Sequence, residues 1–298
     1  MEINIFQVDA FTNTPFGGNP AGVVTKSKGL KDDDMQRIAN EMNLSETVFI
    51  RQIEDCYFMV RYFTPLCEVD LCGHATIAGI FTLAKKGYIK AIEKGTKKAR
   101  IETRLGPLTV DIAFSGYEPQ YIVMEQETPR AIGKVDGINE LADAMGIKVE
   151  DIGVDGTSAV PEIVSTGLPD IIMPVRNETV LKDIRVDNQA LTALSNRLGV
   201  TGVHAFALDK DLEDEAVARN FAPAVGIPEE AATGTSNGAL IYYLKSNNIL
   251  KGERLLVRQG QYMNRPSQIA CFISKGDAGF KVKVGGSAVI VLEGIMKF

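Results

Sequence analysis

Histidine is scarce in this chain. His74 and His204 are the only two in 298 residues. A metal centre built on several histidines is therefore excluded. A Ser–His–Asp triad would have to use one of these two, and neither stands in a recognisable serine context. The four cysteines, Cys56, Cys67, Cys72 and Cys271, include no Cys-x-x-Cys pair. Neither a structural zinc site nor a disulfide framework is expected, and no metal is assigned. Positive charge is short as well: 32 Lys and Arg face 38 Asp and Glu, for a net charge of −6. Without a positive surplus there is no electrostatic footprint for a phosphate backbone, so no nucleic-acid partner is expected. The one local basic cluster, Lys94, Lys97, Lys98 and Arg100, reads as a solvated loop or strand entry. No apolar run approaches the roughly 20 residues that span a bilayer. The opening MEINIFQVDAF carries Glu2 and Asp9 where a signal peptide has a basic region, so a cytoplasmic protein without a membrane partner is expected. Phosphate loops of the GxxxxGK[ST] type and a well-placed GxGxxG are missing. Cofactor-free proton transfer is what these absences leave.

What is present is a globular composition, 45% hydrophobic and 23% charged, at a length suited to two domains. The chain also repeats itself once. Arg61-Tyr62-Phe63-Thr64-Pro65 is echoed by Arg219-Asn220-Phe221-Ala222-Pro223. Each is followed by acids, small residues and an apolar helical pattern: IAGIFTLAKKG ending at Gly87, and GALIYYLKSNN ending at Asn247 or Asn248. Fainter echoes pair Gly18-Asn19-Pro20 with Gly167-Leu168-Pro169, and Ala39 to Ser45 with Ser195 to Thr201. Another pairs Leu105-Gly106-Pro107 with Gln259-Gly260-Gln261. The matches keep their order at an offset of about 150–160 residues, which reads as one gene duplication and not a short-period solenoid.

Strand-like runs dominate, among them INIFQVDAF, TVFIRQ, YFMVRYF and PLTVDIAF, then DIIMPV, HAFALD, AVARNF and AVIVLEG. Helical runs include DDDMQRIANEMN, INELADAMG and DNQALTALSNRLG. The expected class is α+β, with two pseudo-symmetric halves. A ligand cleft is expected between such halves, where pockets are common.

The chemistry concentrates at the two helix starts. Cys72-Gly73-His74 and Thr233-Gly234-Thr235 are small tripeptides ahead of apolar helices. Helix N-termini expose unpaired N–H groups, and glycine admits close approach, so a matched pair suits a carboxylate. Glu46 stands at a helix-to-strand junction, and its repeat partner is Gly202. The repeated fold does not demand this acid, as expected of a catalytic addition. In an apolar cleft its pKa is expected to rise, fitting it to act as base and then acid. A surface or capping glutamate is the competing interpretation. Asp70, Glu229 and Glu230 precede the helices as second acids or dipole complements. Cys72, at a helix N-terminus, is expected to have a lowered pKa, but its repeat partner is Thr233, so no pair of thiols is available.

These residues resemble the PhzF-like phenazine-biosynthesis family, which shares the diaminopimelate epimerase-like fold. The likeness rests on Asp9-Ala10-Phe11 with Gly18-Asn19-Pro20, Asn43-Leu44-Ser45-Glu46-Thr47, Arg61 to Pro65, Cys72-Gly73-His74 and Ala232-Thr233-Gly234. Gln259-Gly260 and Asn264-Arg265-Pro266-Ser267 complete it. It implies two domains, each a barrel-like sheet wrapped around a central helix, and a homodimer. The expected division is residues 1–118 with 288–298, and 119–287. The resemblance further implies a cofactor-independent isomerase in which Glu46 moves a proton within a cyclic dihydro-hydroxyanthranilate. His74 and Glu230 would assist. Asn19, Cys72, Gly73, Gly234 and Thr235 would bind the small-molecule carboxylate substrate. Two positions depart from the family pattern: Glu230 replaces an aspartate and Thr235 a serine. The alternatives are an amino-acid racemase or epimerase using Cys72 or Glu46, and a non-enzymatic binding or scaffold protein of the same fold.

Overall fold

A helix that is apolar on every side has to be surrounded by protein. The segment GHATIAGIFTLAK forms such a helix, and all its residues from His74 to Ala84 are buried. The computed structural model describes residues 2–208, 214–277 and 279–298. The chain divides into two compact units. One runs to Glu125 and includes Gly285–Phe298; the other is Gln126–Val284. The last residue of the expected strand HAFALD, Asp209, lies outside the described residues.

In the first unit the order is β1 (Glu2–Ala10), β2 (Asn19–Val24), α1 (Asp32–Met42), β3 (Glu46–Glu54), β4 (Tyr57–Phe63) and β5 (Glu68–Val69). Then come α2 (Gly73–Lys85), β6 (Lys94–Thr103), β7 (Gly106–Ser115) and β8 (Glu118–Glu125). The second unit contributes β9 (Arg130–Lys134), α3 (Ile138–Met145), β10 (Glu162–Ser165), β11 (Pro169–Pro174), α4 (Glu178–Asp183) and α5 (Asn188–Leu198). It continues with β12 (Val203–Leu208), β13 (Glu215–Ala222), β14 (Ile227–Glu230), α6 (Gly234–Ser246), β15 (Arg254–Gln259) and β16 (Ser267–Gly276). The chain closes with β17 (Gly279–Gly286) and β18 (Ala288–Lys297), and β18 returns to pair antiparallel with β1.

The two units repeat one topology. β1–β2 and β10–β11 are antiparallel pairs, while β2–β3 and β11–β12 are parallel. β4–β6 and β13–β15 are also parallel, and β6–β7 and β15–β16 close antiparallel. In the first unit, α2 packs against β1, β2, β3, β8 and β18. In the second, α6 packs against β10, β11, β12, β15 and β16. Each sheet therefore wraps a central apolar helix, and the class is α+β. Outside the second sheet, Leu141, Met145, Leu191 and Leu194 of α3 and α5 join Ile171, Val203 and Phe221 in one buried cluster.

Several helix ends are written locally. Asn43, Gly146 and Gly199 close α1, α3 and α5 in left-handed conformations. Asn248 takes a left-handed φ just past α6. Helix α4 is absent from the sequence reading; the Asn177 side chain caps it by accepting from the Val180 amide at 3.0 Å. The basic cluster is the strand entry and not the loop. It lies along β6, where Lys98 pairs with Asp111 and Arg100 covers the Tyr57 ring.

Ladder register corrects one echo. Tyr57 pairs with Arg100, and its counterpart Glu215 with Leu256. Thr103 therefore matches Gln259, two residues from the Leu105 alignment. The same test upholds another. Ala21 pairs with Glu46, and Ile171, one step on in the second copy, pairs with Val203. Glu46 thus stands where the second unit has Gly202. Among the described residues, no helix is long and apolar enough to cross a membrane.

Candidate active site

The parallel strands β2 and β3 begin at the same end of their sheet, at Asn19 and Glu46. Helix α2 begins there too. Its N-cap is Cys72, in extended conformation, and its second residue is His74. The fold therefore gathers Asn19, Glu46, Cys72 and His74, which are scattered over more than fifty positions of sequence.

The imidazole is the hub. Its Nε2 lies 3.1 Å from Glu46 Oε2, an ion-pair contact in which the side chains are 5% and 16% exposed. Attraction between the two groups is the first influence that opposes burial at Glu46. On the other side of the ring, Nδ1 lies 3.2 Å from the Asn19 amide and 3.5 Å from Cys72 Sγ. Gly73 is the first residue of α2, between Cys72 and His74.

Electrostatics reverses two expectations. Burial on its own would raise the Glu46 pKa, but His74 and a hydrogen bond from Cys72 outweigh it and hold it below the ordinary 4.5. Burial pushes the Cys72 thiol up to about 11, and the Glu46 charge adds to this. The helix terminus does not rescue the thiolate. For His74, burial favours the neutral ring, yet the acidic groups Cys72 and Glu46 drive its pKa well above 6.5. Because Cys72 remains a thiol near neutral pH, the Glu46 carboxylate is the charge that keeps His74 protonated. The directions of the two shifts, Glu46 down and His74 up, favour carboxylate beside imidazolium.

Glu46, Cys72 and His74 also bring one ligand atom each within 4.8 Å of one another. A metal needs thiolate and neutral imidazole.

The acids flanking the helices separate by role. Glu229 grips Arg219 through two contacts, at 2.8 and 2.9 Å, just as Glu68 grips Arg61 at 2.7 Å twice. These matched forks brace the repeated strands. Asp70 is more than half exposed and 3.4 Å from Arg104. Glu230 accepts a hydrogen bond from the Thr233 hydroxyl at 2.8 Å. Thr233 is the N-cap of α6, and Gly234 and Thr235 are its first residues. Asn19, Glu46, Cys72, Gly73 and His74 thus belong to the first unit, and Glu230, Gly234 and Thr235 to the second. His204 is fully buried between Asn220 and Asn237, and burial pushes its pKa down to about 4. It is a neutral part of a buried network. Sequence reasoning passed over that network; its only signal was the Gln259-Gly260 pair within the family motifs.

A family model described as phenazine biosynthesis-like protein matches residues 8–294. The chain belongs to the phenazine biosynthesis-like protein family. The uncharacterized isomerase YfhB of Bacillus subtilis (strain 168) is 32% identical over 299 residues, covering 99% of each chain. The Bacillus anthracis phenazine biosynthesis protein of the PhzF family has a solved structure that superposes with TM-score 0.88. It is 30% identical and covers all of both chains. A hydroxyproline epimerase from Agrobacterium vitis, only 11% identical, shares the fold at TM-score 0.66, over 99% of this chain and 92% of its own. The chain is an isomerase of the phenazine biosynthesis-like family.

Proposed function

We propose that this isomerase moves a proton within a small cyclic amino-carboxylate, of the dihydro-hydroxyanthranilate type, with Glu46 as the shuttling group. The observation that carries this is the buried Glu46–His74 pair, 3.1 Å apart, in one copy of a duplicated fold. A carboxylate that is already ionised and largely withdrawn from water is available to accept a proton. It breaks a ring C–H bond, and the electron pair moves into the conjugated system. The resulting carboxylic acid returns the proton at another ring position. No electrons leave the substrate, so the step needs no redox partner and no cofactor. His74, as imidazolium, offsets the charge and holds the carboxylate in place. Glu230 is the assisting acid. Asn19, Cys72, Gly73, Gly234 and Thr235 are assigned to substrate binding.

The test is proton exchange in D₂O, followed by NMR on a panel of cyclic and linear amino carboxylates that includes dihydro-hydroxyanthranilate. Wild type should exchange, and Glu46→Gln, which keeps the shape and removes the titration, should be slower by at least about 100-fold. Full exchange by Glu46→Gln would end this proposal. The second reading, an epimerase working through Cys72, is favoured by the thiol 3.5 Å from His74 Nδ1. It would show instead as exchange at an amino-acid α-carbon that Cys72→Ala abolishes and Glu46→Gln spares.

A further inference from the structure

The second unit buries a connected set of polar side chains, some of them where the first unit is apolar. Gln259, Asn237, His204, Asn220, Ser236 and Asp170 are all buried. By ladder register and the repeat, the first unit has Val48 in place of His204 and Ala21 in place of Asp170. Buried polar groups stabilise only when every one is satisfied, so an asymmetry of this kind needs a cause.

Gln259 shows the most complete pattern. Its Nε2 donates to the Glu230 carbonyl oxygen at 2.8 Å and to Thr233 Oγ1 at 3.1 Å. Its Oε1 accepts from the Thr233 amide at 3.2 Å and from Asn237 Nδ2 at 2.8 Å. A glutamine amide offers two donors and two acceptor sites. Here three are used on the short segment that carries Glu230 into α6, and the fourth on Asn237 of α6 itself. The Thr233 hydroxyl, accepting from Gln259, has its proton free to donate, and it donates to Glu230 Oε2 at 2.8 Å. Behind Gln259 the chain continues through Asn237 to His204 Nε2 at 3.2 Å.

The neighbours of Gln259 clamp the same segment. Gly260 has φ +80, and a Cβ there would lie 2.5 Å from the Ala231 carbonyl oxygen and 2.4 Å from that of Arg265. Only glycine lets the two backbones meet. The Ser267 hydroxyl lies 2.9 Å from the carbonyl oxygens of both Ala231 and Gln259. Side chain, bare backbone and hydroxyl thus converge on Glu230–Thr233 from three directions.

We propose that Gln259, acting through the Thr233 hydroxyl, is a positioning residue for the Glu230 carboxylate. A glutamate has three side-chain torsions to fix, and a hydrogen bond at its tip removes that freedom. The inference rests on Glu230 being the assisting acid of the proposed proton transfer.

Gln259→Leu is the direct test but leaves two buried donors unpaired and risks misfolding. Thr233→Val removes one hydroxyl at nearly constant shape, and Thr233→Ser restores it. In the D₂O exchange assay, Thr233→Val should slow turnover about tenfold or more, since misplacement by about 1 Å is that damaging. Thr233→Ser should restore the rate. In a Glu230→Gln background the Thr233→Val loss should largely vanish, because the two changes act through one group. An equal loss in both backgrounds would overturn the proposal while leaving the Glu46 chemistry intact. Insensitivity to Glu46→Gln would instead sink the functional reading. Crystal structures of wild type and Thr233→Val decide independently of any substrate. The Glu230 carboxylate should shift or spread over several rotamers, and an unmoved carboxylate refutes the role.

Discussion

Replacing His74 with asparagine moves the acid limb of the pH–rate profile upward and removes the alkaline limb. In wild type, burial favours a neutral Glu46, but His74 and Cys72 outweigh it and keep the pKa under 4.5. His74→Asn deletes the larger opposing influence and leaves the burial. The carboxyl pKa then climbs above its ordinary value, and kcat/KM falls off at higher pH than in wild type. The alkaline limb of wild type belongs to His74, whose pKa lies well above 6.5, and asparagine cannot titrate there. At neutral pH the expected loss is about 100-fold, the low end for a positioned acid–base group. Stability follows with definite signs. The depressed Glu46 stabilises the fold above about 4.5, and this is lost as pH falls through its folded value. The raised His74 stabilises fully below about 6.5, and this is lost as pH rises through its folded value. Urea unfolding should therefore separate wild type from His74→Asn most clearly between these two pH values. Identical pH–rate profiles for the two proteins would show that the pair does not govern the reaction.

Gly202→Ala should destabilise the protein severely, by about 3 kcal/mol or more, beyond the usual range for overpacking. The Cβ would lie 2.0 Å from the Phe221 carbonyl oxygen and 2.9 Å from the Ala222 Cα. Both obstacles are backbone, and β13 is tied to β12 along its whole ladder. The Gly202 carbonyl also accepts from the Ile171 amide at 3.0 Å, so the strand cannot simply swing aside. The matching position in the first unit holds Glu46, where the side chain finds room beside α2. The duplicated fold therefore admits an acid in one copy and forbids it in the other. An unchanged urea midpoint for Gly202→Ala would show that the strands part there easily.

Much of this protein was legible without coordinates. Arg61 to Pro65 and Arg219 to Pro223 are near enough alike to expose the duplication, and the apolar runs within α2 and α6 require burial. The mismatch of Glu46 with Gly202 already marked the acid. These features depend on local pattern and on comparison of the chain with itself, so the amino-acid order determines them alone. Other features needed the tertiary structure. Protonation is one: Glu46 falls where an isolated carboxyl in an apolar cleft would rise, and Cys72 rises where a helix-terminal thiol would fall. Each is decided by the balance between burial and a neighbour brought across the fold, a difference of opposing effects that no sequence spacing encodes. Gln259 is another. Its amide is an ordinary polar group until four partners from β14, the Ala231–Thr233 turn and α6 close around it. That closure depends on β13 and β15 lying side by side, as the folded sheet alone decides.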